Sequence, residues 1–334
     1  MIPSQTDSLS HYSATSPTQS ASLSPSPTVA TSSPLVSILM PVYNQERFLP
    51  QSLASAQSQT LRNIEIVCVD DGSTDSSPTI LTKAAQTDPR IRIIHQRNQG
   101  VSAARNTCLA NARGQYVFFC DPDDVMDPDL LQTAVTALTR FHADICSFKF
   151  RAISEHGRPL SSHYRHNTFK SVQVLSPQNA IREQFHGKIG GYLWAFVADR
   201  AVYERSHVTF PIGRRIEDEA RICQIIGSAH RIVRLPRTLY SYRLHSGSLL
   251  GTPNSSLVAD WFHAQSDRRR WVISHYPQLA WFVHLKQWDV LGNLDYESIR
   301  QSLVFGLRLD PDSKAAQKHQ KRKRKNQKHR SEGR

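Results

Sequence analysis

Three acidic groups in this 334-residue sequence have the residue types and spacing to do chemistry. Asp121-Pro-Asp-Asp124 places three carboxylates within four residues, directly after the apolar run Tyr116–Cys120. Carboxylates so close repel one another unless a cation sits among them. Their hard oxygens suit Mg2+ or Mn2+, ions that also ligate phosphate. A solvated acidic loop is the plainer alternative. Asp70-Asp71 closes a second apolar run, Ile64–Val69. There Asp70 can accept a hydrogen bond from a pyrimidine N–H in a mostly apolar pocket, although Asp-Gly is equally the composition of an ordinary turn. Glu217-Asp218-Glu219 opens a helical stretch, where the helix N-terminus favours negative charge by ~0.3–1 kcal/mol each. A carboxylate close to a metal can instead act as a general base.

The surrounding pattern supplies elements to hold these groups. Leu35–Val42, Ile64–Val69, Ile91–His95, Tyr116–Cys120 and Asp144–Phe150 read as buried strands. Helices are expected over Glu46–Gln59, from Asp75 or Ser76 to about Gln86, over Val101–Ala112, and from an Asp127 cap through Phe141. This alternation predicts an α/β fold of parallel β-α-β units with right-handed crossovers, in which ligands bind beyond the carboxyl ends of the strands. The acidic residues fall at those ends. After Phe150 the rhythm loosens: a helix starts at Ser176-Pro177, another runs from Glu217 to Ala229, and short strands follow at His230–Leu235 and Leu239–Arg243. Trp261 to Leu309 reads as amphipathic helices. No G-x-G-x-x-G follows the first strand and no G-x-x-x-x-G-K-[ST] occurs, which argues against dinucleotide and P-loop enzymes.

Residues 1–33 are mostly Ser, Thr and Pro, a composition expected to stay disordered and unlike a Sec signal or an Arg-rich transit peptide. The net charge of +13 is concentrated at the other end, where Lys314–Arg334 holds ten Lys or Arg against one acidic residue, Glu332. That stretch therefore carries +9 of the total, and the basicity says nothing about the folded part. The tail lacks the interleaved aromatics of a nucleic-acid binder, so nucleic acid is not an expected partner. With Trp261, Phe262, Trp271, Trp281, Phe282 and Trp288 it suits an anionic membrane surface, while the plainer alternative is that these aromatics pack on the domain and the Lys/Arg run is simply solvated. No window approaches the ~18 apolar residues of a spanning helix. Five scattered cysteines form no metal or disulfide pattern and fit small buried hydrophobes in a reducing cytosol.

Leu35-Val-Ser-Ile-Leu-Met-Pro-Val-Tyr-Asn44, Ile64-Glu-Ile-Val-Cys-Val-Asp-Asp-Gly-Ser-Thr-Asp75 and Gly100-Val-Ser-Ala-Ala-Arg-Asn106 resemble the family 2 glycosyltransferases. Asp121-Pro-Asp-Asp124 is similar to the family's D-x-D metal motif, Ile216-Glu-Asp-Glu219 to its E-D element, and Tyr240-Ser-Tyr-Arg-Leu-His245 with Ser248 to its closing segment. The resemblance covers about residues 35–250. It implies a GT-A fold, a Rossmann-like, mostly parallel sheet with helices on both faces, followed by C-terminal helices. The implied division is a disordered 1–33, a transferase domain over 34–250 with its nucleotide-binding half to about 125, helices over 251–311, and a basic tail over 312–334.

The implied activity is inverting, divalent-cation-assisted transfer from a nucleotide sugar, most simply a UDP-sugar, to a glycan or lipid-linked acceptor in cell-surface polysaccharide synthesis. By motif position, Pro41, Tyr43, Asn44 and Glu46 would line the nucleoside pocket, Asp70 would read the uracil with Asp71 beside it, and Arg105 would lie near the nucleotide. Asp123 would hold the metal, Asp121 would sit by the ribose or metal, Asp218 would be the general base, and His245 would add a metal or phosphate contact. The implied location is cytoplasmic, peripheral at the inner face of the plasma membrane. Two departures stand out: Pro122 where serine is usual, and Ala195-Phe196 where a polar pair usually follows Trp194. A two-carboxylate hydrolase is a rival for the acid pairs, and an inactive transferase fold that binds RNA or membrane through its tail is the non-enzymatic alternative.

Overall fold

The computed structural model describes residues 33–160, 168–214, 216–245 and 255–291, with side chains of 255–258 and 286–291 left aside. The expectations for residues 1–32, Ser248, the chain beyond Leu291 and the basic tail lie outside that range.

β1 (Val36–Val42) leads to α1 (Leu49–Gln57), β2 (Ile64–Asp70), α2 (Ser77–Thr87), β3 (Ile91–His95), α3 (Val101–Ala110) and β4 (Tyr116–Phe119). β1 and β2 are buried at every position, as strands covered on both faces must be. Alternation sorts the faces. Ile38 and Met40 join Leu49, Leu53, Leu81 and Leu131 in one core, while Leu39, Val67 and Val69 join Ala104, Cys108 and Phe119 in the other. The four strands pair in parallel in the order β3-β2-β1-β4. α1 starts three residues later than expected. Pro50 sits in its first turn, and the N–H groups of Gln45 and Glu46 donate to Ser77 at the start of α2 and to Asp75 before it.

The chain continues through β5 (Val125–Met126), α4 (Leu130–Phe141), β6 (Ile145–Ser154), β7 (Pro159–Leu160), β8 (Gln173–Leu175), α5 (Pro177–Phe185), β9 (Phe196–Asp199), α6 (Arg200–Ser206), α7 (Glu217–Gly227), β10 (Ile232–Leu244), α8 (Ser255–His275) and α9 (Ala280–Leu291). α5 begins as expected, with Ser176 Oγ accepting the Asn179 N–H at 3.3 Å. Two expectations need correction. β6 does not continue the parallel half beside β4, because β9 enters between them, antiparallel to both. This accounts for the apolar Ala195-Phe196: Phe196 opens β9 and is buried, and Trp194 stacks on Tyr192, Tyr240 and Tyr242. The two short strands expected over 230–243 are one strand, β10, whose register slips between Leu235 and Tyr240. Pro236 cannot donate to the ladder there. The fold is thus α/β, with a sheet that is parallel through β3-β2-β1-β4 and helices on both faces.

α8 and α9 pack on the domain. Trp261 is buried, Trp271 and Phe282 lean on the second core, and Trp281 is 74% exposed. Three aromatics expected at a membrane interface therefore serve packing. Among the described residues no helix is long and apolar enough to cross a membrane. All five cysteines are free and buried, in keeping with their reading as small core residues.

Candidate active site

The parallel register aligns the polar strand ends. Val42 lies opposite Asp70, and Asp70 opposite His95, so the loops after β1, β2 and β3 leave the sheet side by side. They are bonded into one unit. The Asn44 N–H donates to Ser73 Oγ at 3.0 Å, and Asn44 Oδ1 accepts the Thr74 N–H at 2.8 Å. Asp75 accepts the Glu46 N–H, while Glu46 Oε2 accepts the Ser76 N–H, both at 2.9 Å. Asn44 takes a left-handed φ of 50°, which asparagine tolerates better than most residues. Pro41 is buried beneath this loop and Tyr43 is 45% exposed above it. Asn44 Oδ1 and Glu46 Oε2 thus tie the two loops together, while both residues remain exposed.

Asp70 accepts from the Ser73 N–H at 3.0 Å and faces His95 Nδ1 at 3.0 Å. Asp71 accepts from Gln96 Nε2 at 2.7 Å, the Gln99 N–H at 3.0 Å and the Gly100 N–H at 2.8 Å. Both carboxylate oxygens of Asp71 are occupied inside the protein, and the effect is to hold the turn into α3. Gly72, at φ 71°, lets the 96–98 backbone approach, because a Cβ there would lie 2.9 Å from the Asn98 N. Gly72→Ala should therefore lower stability by about 1–3 kcal/mol through strain and overlap. Chemical denaturation measures it, and an unchanged midpoint would mean that the loop relaxes freely.

α3 carries Arg105 into the centre of the site. Its guanidinium is buried between Glu217, with which Nη1 forms an ion pair, and Asp121 Oδ1, 3.3 Å from Nη2. Asp121, Asp123 and Asp124 stand together, with one oxygen of each inside 4.8 Å of the others. Burial, and then the neighbouring aspartates, push the Asp124 carboxyl well up; burial also raises Asp121, against the pull of Arg105. Among the described residues, buried Asp124 Oδ2 has no hydrogen-bond partner. Asp123 Oδ2 meets His245 Nε2 at 2.8 Å. A cluster of carboxylate oxygens with one imidazole beside it fits a hard divalent cation.

Asp218 stands in the first turn of α7, half-buried, with Oδ1 accepting the Glu219 N–H at 2.8 Å. Burial raises its carboxyl to about 6, while Arg105 pulls it down and Glu219 and Asp121 push it up. Arg105 pairs with the adjacent Glu217 and with Asp121, which brings the start of α7 to the side of the acidic loop. Glu217 is bound to Arg105, and Glu219 to Arg268 and Gln184, so of the three acids Asp218 alone is left for the site.

Arg243 was not legible as a site residue. It is 2% exposed, its N–H donates to Asp124 Oδ1 at 2.7 Å and its Nε to the Asp123 carbonyl at 2.6 Å, and it reaches Gln51 Oε1 at 2.7 Å. It fixes the acidic loop from below. An arginine directly after Tyr242 on β10, two residues before His245, was the available signal.

The family described as "Glycosyl transferase family 2" matches residues 37–203, half of the chain. The uncharacterized glycosyltransferase EpsJ of Bacillus subtilis is 32% identical over 246 residues, 73% of this chain and 71% of EpsJ. This chain belongs to glycosyl transferase family 2. Glycosyltransferase GlyA of Streptococcus pneumoniae is 31% identical over 237 residues, which are 70% of this chain but only 33% of GlyA. Among solved structures, S. aureus TarS 1-349 in complex with UDP-GlcNAc superimposes with a TM-score of 0.59 at 20% identity, covering 70% of this chain and 66% of TarS. That likeness confirms the GT-A-type fold expected for a family 2 glycosyltransferase.

Proposed function

We propose that this family 2 glycosyltransferase moves a sugar from a UDP-sugar to a hydroxyl of a glycan or lipid-linked acceptor in cell-surface polysaccharide synthesis, with inversion at the anomeric carbon. One observation supports the reading: Arg105 joins the carboxylate cluster after β4 to the acidic start of α7, so the groups proposed for the metal and for the base lie on either side of one arginine. Asp123 and His245 would hold the divalent cation, with Asp121 beside it, and a cation there would neutralise charge developing on the departing nucleoside diphosphate. Asp70 would accept from the uracil N–H, between walls formed by Pro41, Tyr43, Asn44 and Glu46; Asp71 and Arg105 would act by placing the loops that enclose the nucleotide. Asp218 would take the acceptor proton, and a single displacement needs no nucleophilic side chain. The UDP-GlcNAc named with TarS is in line with a uridine nucleotide.

Isothermal titration with UDP tests the donor site. Binding should be tighter with Mn2+ than with EDTA, and UDP should bind better than GDP or ADP. Equal affinity in Mn2+ and EDTA would remove the metal from the account, and a purine preference would remove the uracil contact.

A further inference from the structure

The two acids that flank Asp218 are each tied to a buried arginine, on opposite sides. Successive helix residues point about 100° apart, so Glu217, Asp218 and Glu219 leave the start of α7 in three directions. Glu217 goes to Arg105, within the part of the chain that the family matches. Glu219 goes to Arg268 on α8, beyond that part. Arg268 is 8% exposed. It pairs with Glu219 Oε1 through Nη1, donates from the same nitrogen to Gln184 Oε1 at 2.9 Å, bonds Gln265 through Nη2, and lies 4.3 Å above the Phe185 ring. Gln184 Nε2 in turn donates to Glu219 Oε1 at 3.1 Å. Gly191 makes room for this arrangement, since a Cβ there would overlap Glu219 Oε2.

We infer that Arg268 is a positioning residue for Asp218, acting through Glu219, so that α8 belongs to the working machinery of the site. This rests on the reading of Asp218 as the base. The physical reasoning is short. Asp218 is in the first helical turn, where the backbone is held from one side only. Its Oδ1 is bonded to the N–H of Glu219, so the orientation of the base follows that of residue 219. Glu219 is fixed by α5, by the Gly191 loop and by Arg268. Removal of Arg268 leaves an uncompensated carboxylate beside the base as well as a loosened turn.

The charged groups around Asp218 among the described residues are Arg105, Asp121 and Glu219, with Glu217 behind Arg105 and Arg268 behind Glu219. Arg221, one turn on, is turned to Asp267. The two halves of the Arg268–Glu219 pair therefore make opposite predictions. Arg268→Met should move the acid limb of the pH–rate profile upward, because the Glu219 charge then opposes ionisation of Asp218. Glu219→Gln should move it downward. Each shift should be on the order of one pH unit, the scale of one unscreened charge a few ångströms away. Both variants should lower kcat about ten- to a hundredfold through lost orientation, with UDP affinity within about twofold of the parent.

The experiment follows UDP release from a panel of UDP-hexoses and UDP-N-acetylhexosamines, with the full chain and Mn2+, across pH. Arg268→Lys keeps the charge without the forked contacts, and Arg268→Met/Glu219→Gln removes both charges; these two decide the matter if Arg268→Met does not fold. The double variant should stay slow with its acid limb back near that of the parent. The proposal falls if the single variants shift the limb the same way or not at all, or if they weaken UDP binding as much as turnover. Asp218→Asn is the reference. If it is inactive while Arg268→Met behaves as the parent, only the positioning role fails; if it retains turnover, the base assignment itself fails.

Discussion

Asp218→Asn should reduce sugar transfer by at least ~10²-fold while leaving UDP binding nearly intact. That magnitude is the usual contribution of a positioned general base. The substitution preserves size and can still accept the Glu219 N–H, so the first turn of α7 has no steric reason to change. Binding should persist because the donor side of the site is built from strand ends and the acidic loop, across Arg105 from α7. The pH dependence follows from the same group. Burial raises the Asp218 carboxyl to about 6, and only the ionised form accepts a proton. Below that pH the rate should fall about tenfold per unit, and above it the rate should level off. Parallel turnover and calorimetric measurements check the split. Retained turnover in Asp218→Asn would move the base to Glu217 or Glu219, although both are held in ion pairs.

Asp123→Ala should behave differently, with loss of metal-dependent UDP affinity and of transfer together. Asp123 faces His245 at 2.8 Å, and its backbone carbonyl is fixed by Arg243. Its removal takes a carboxylate from the cluster without disturbing Asp124, whose Oδ1 is held by the Arg243 N–H. The expected loss is on the order of tenfold or more in affinity for UDP with Mn2+, the cost of removing one hard ligand. In EDTA the variant should bind UDP as the parent does. A variant that responds to Mn2+ as the parent does would show that Asp121 and Asp124 suffice.

Much of this arrangement is written locally in the sequence. The apolar runs of β1, β2 and β4, each followed by polar residues, give both the strands and the polar edge where the donor site is proposed. Ser176-Pro177 gives the start of α5, and Glu217-Asp218-Glu219 the start of α7. What was hidden depends on partners distant in the chain. Nothing near Phe196 reveals that β9 inserts between β4 and β6, since that pairing joins residues 116–117 to 198–199. Nothing in Asp71 alone distinguishes a ligand contact from a carboxylate already satisfied by Gln96, Gln99 and Gly100. Trp271 reads as an interfacial aromatic until α7 and α8 pack so closely that Gly227 must lack a side chain beneath it. Arg243 and Arg268 are invisible for the same reason: a buried arginine is explained only by the carboxylates and carbonyls that surround it.

The most direct measurement is nucleotide release from a panel of nucleotide sugars by the purified full chain, in Mn2+ and in EDTA. The account predicts release of UDP from at least one UDP-sugar, dependent on the cation and lost in Asp218→Asn. Release only from purine-nucleotide sugars, or turnover that survives both EDTA and Asp218→Asn, would contradict it.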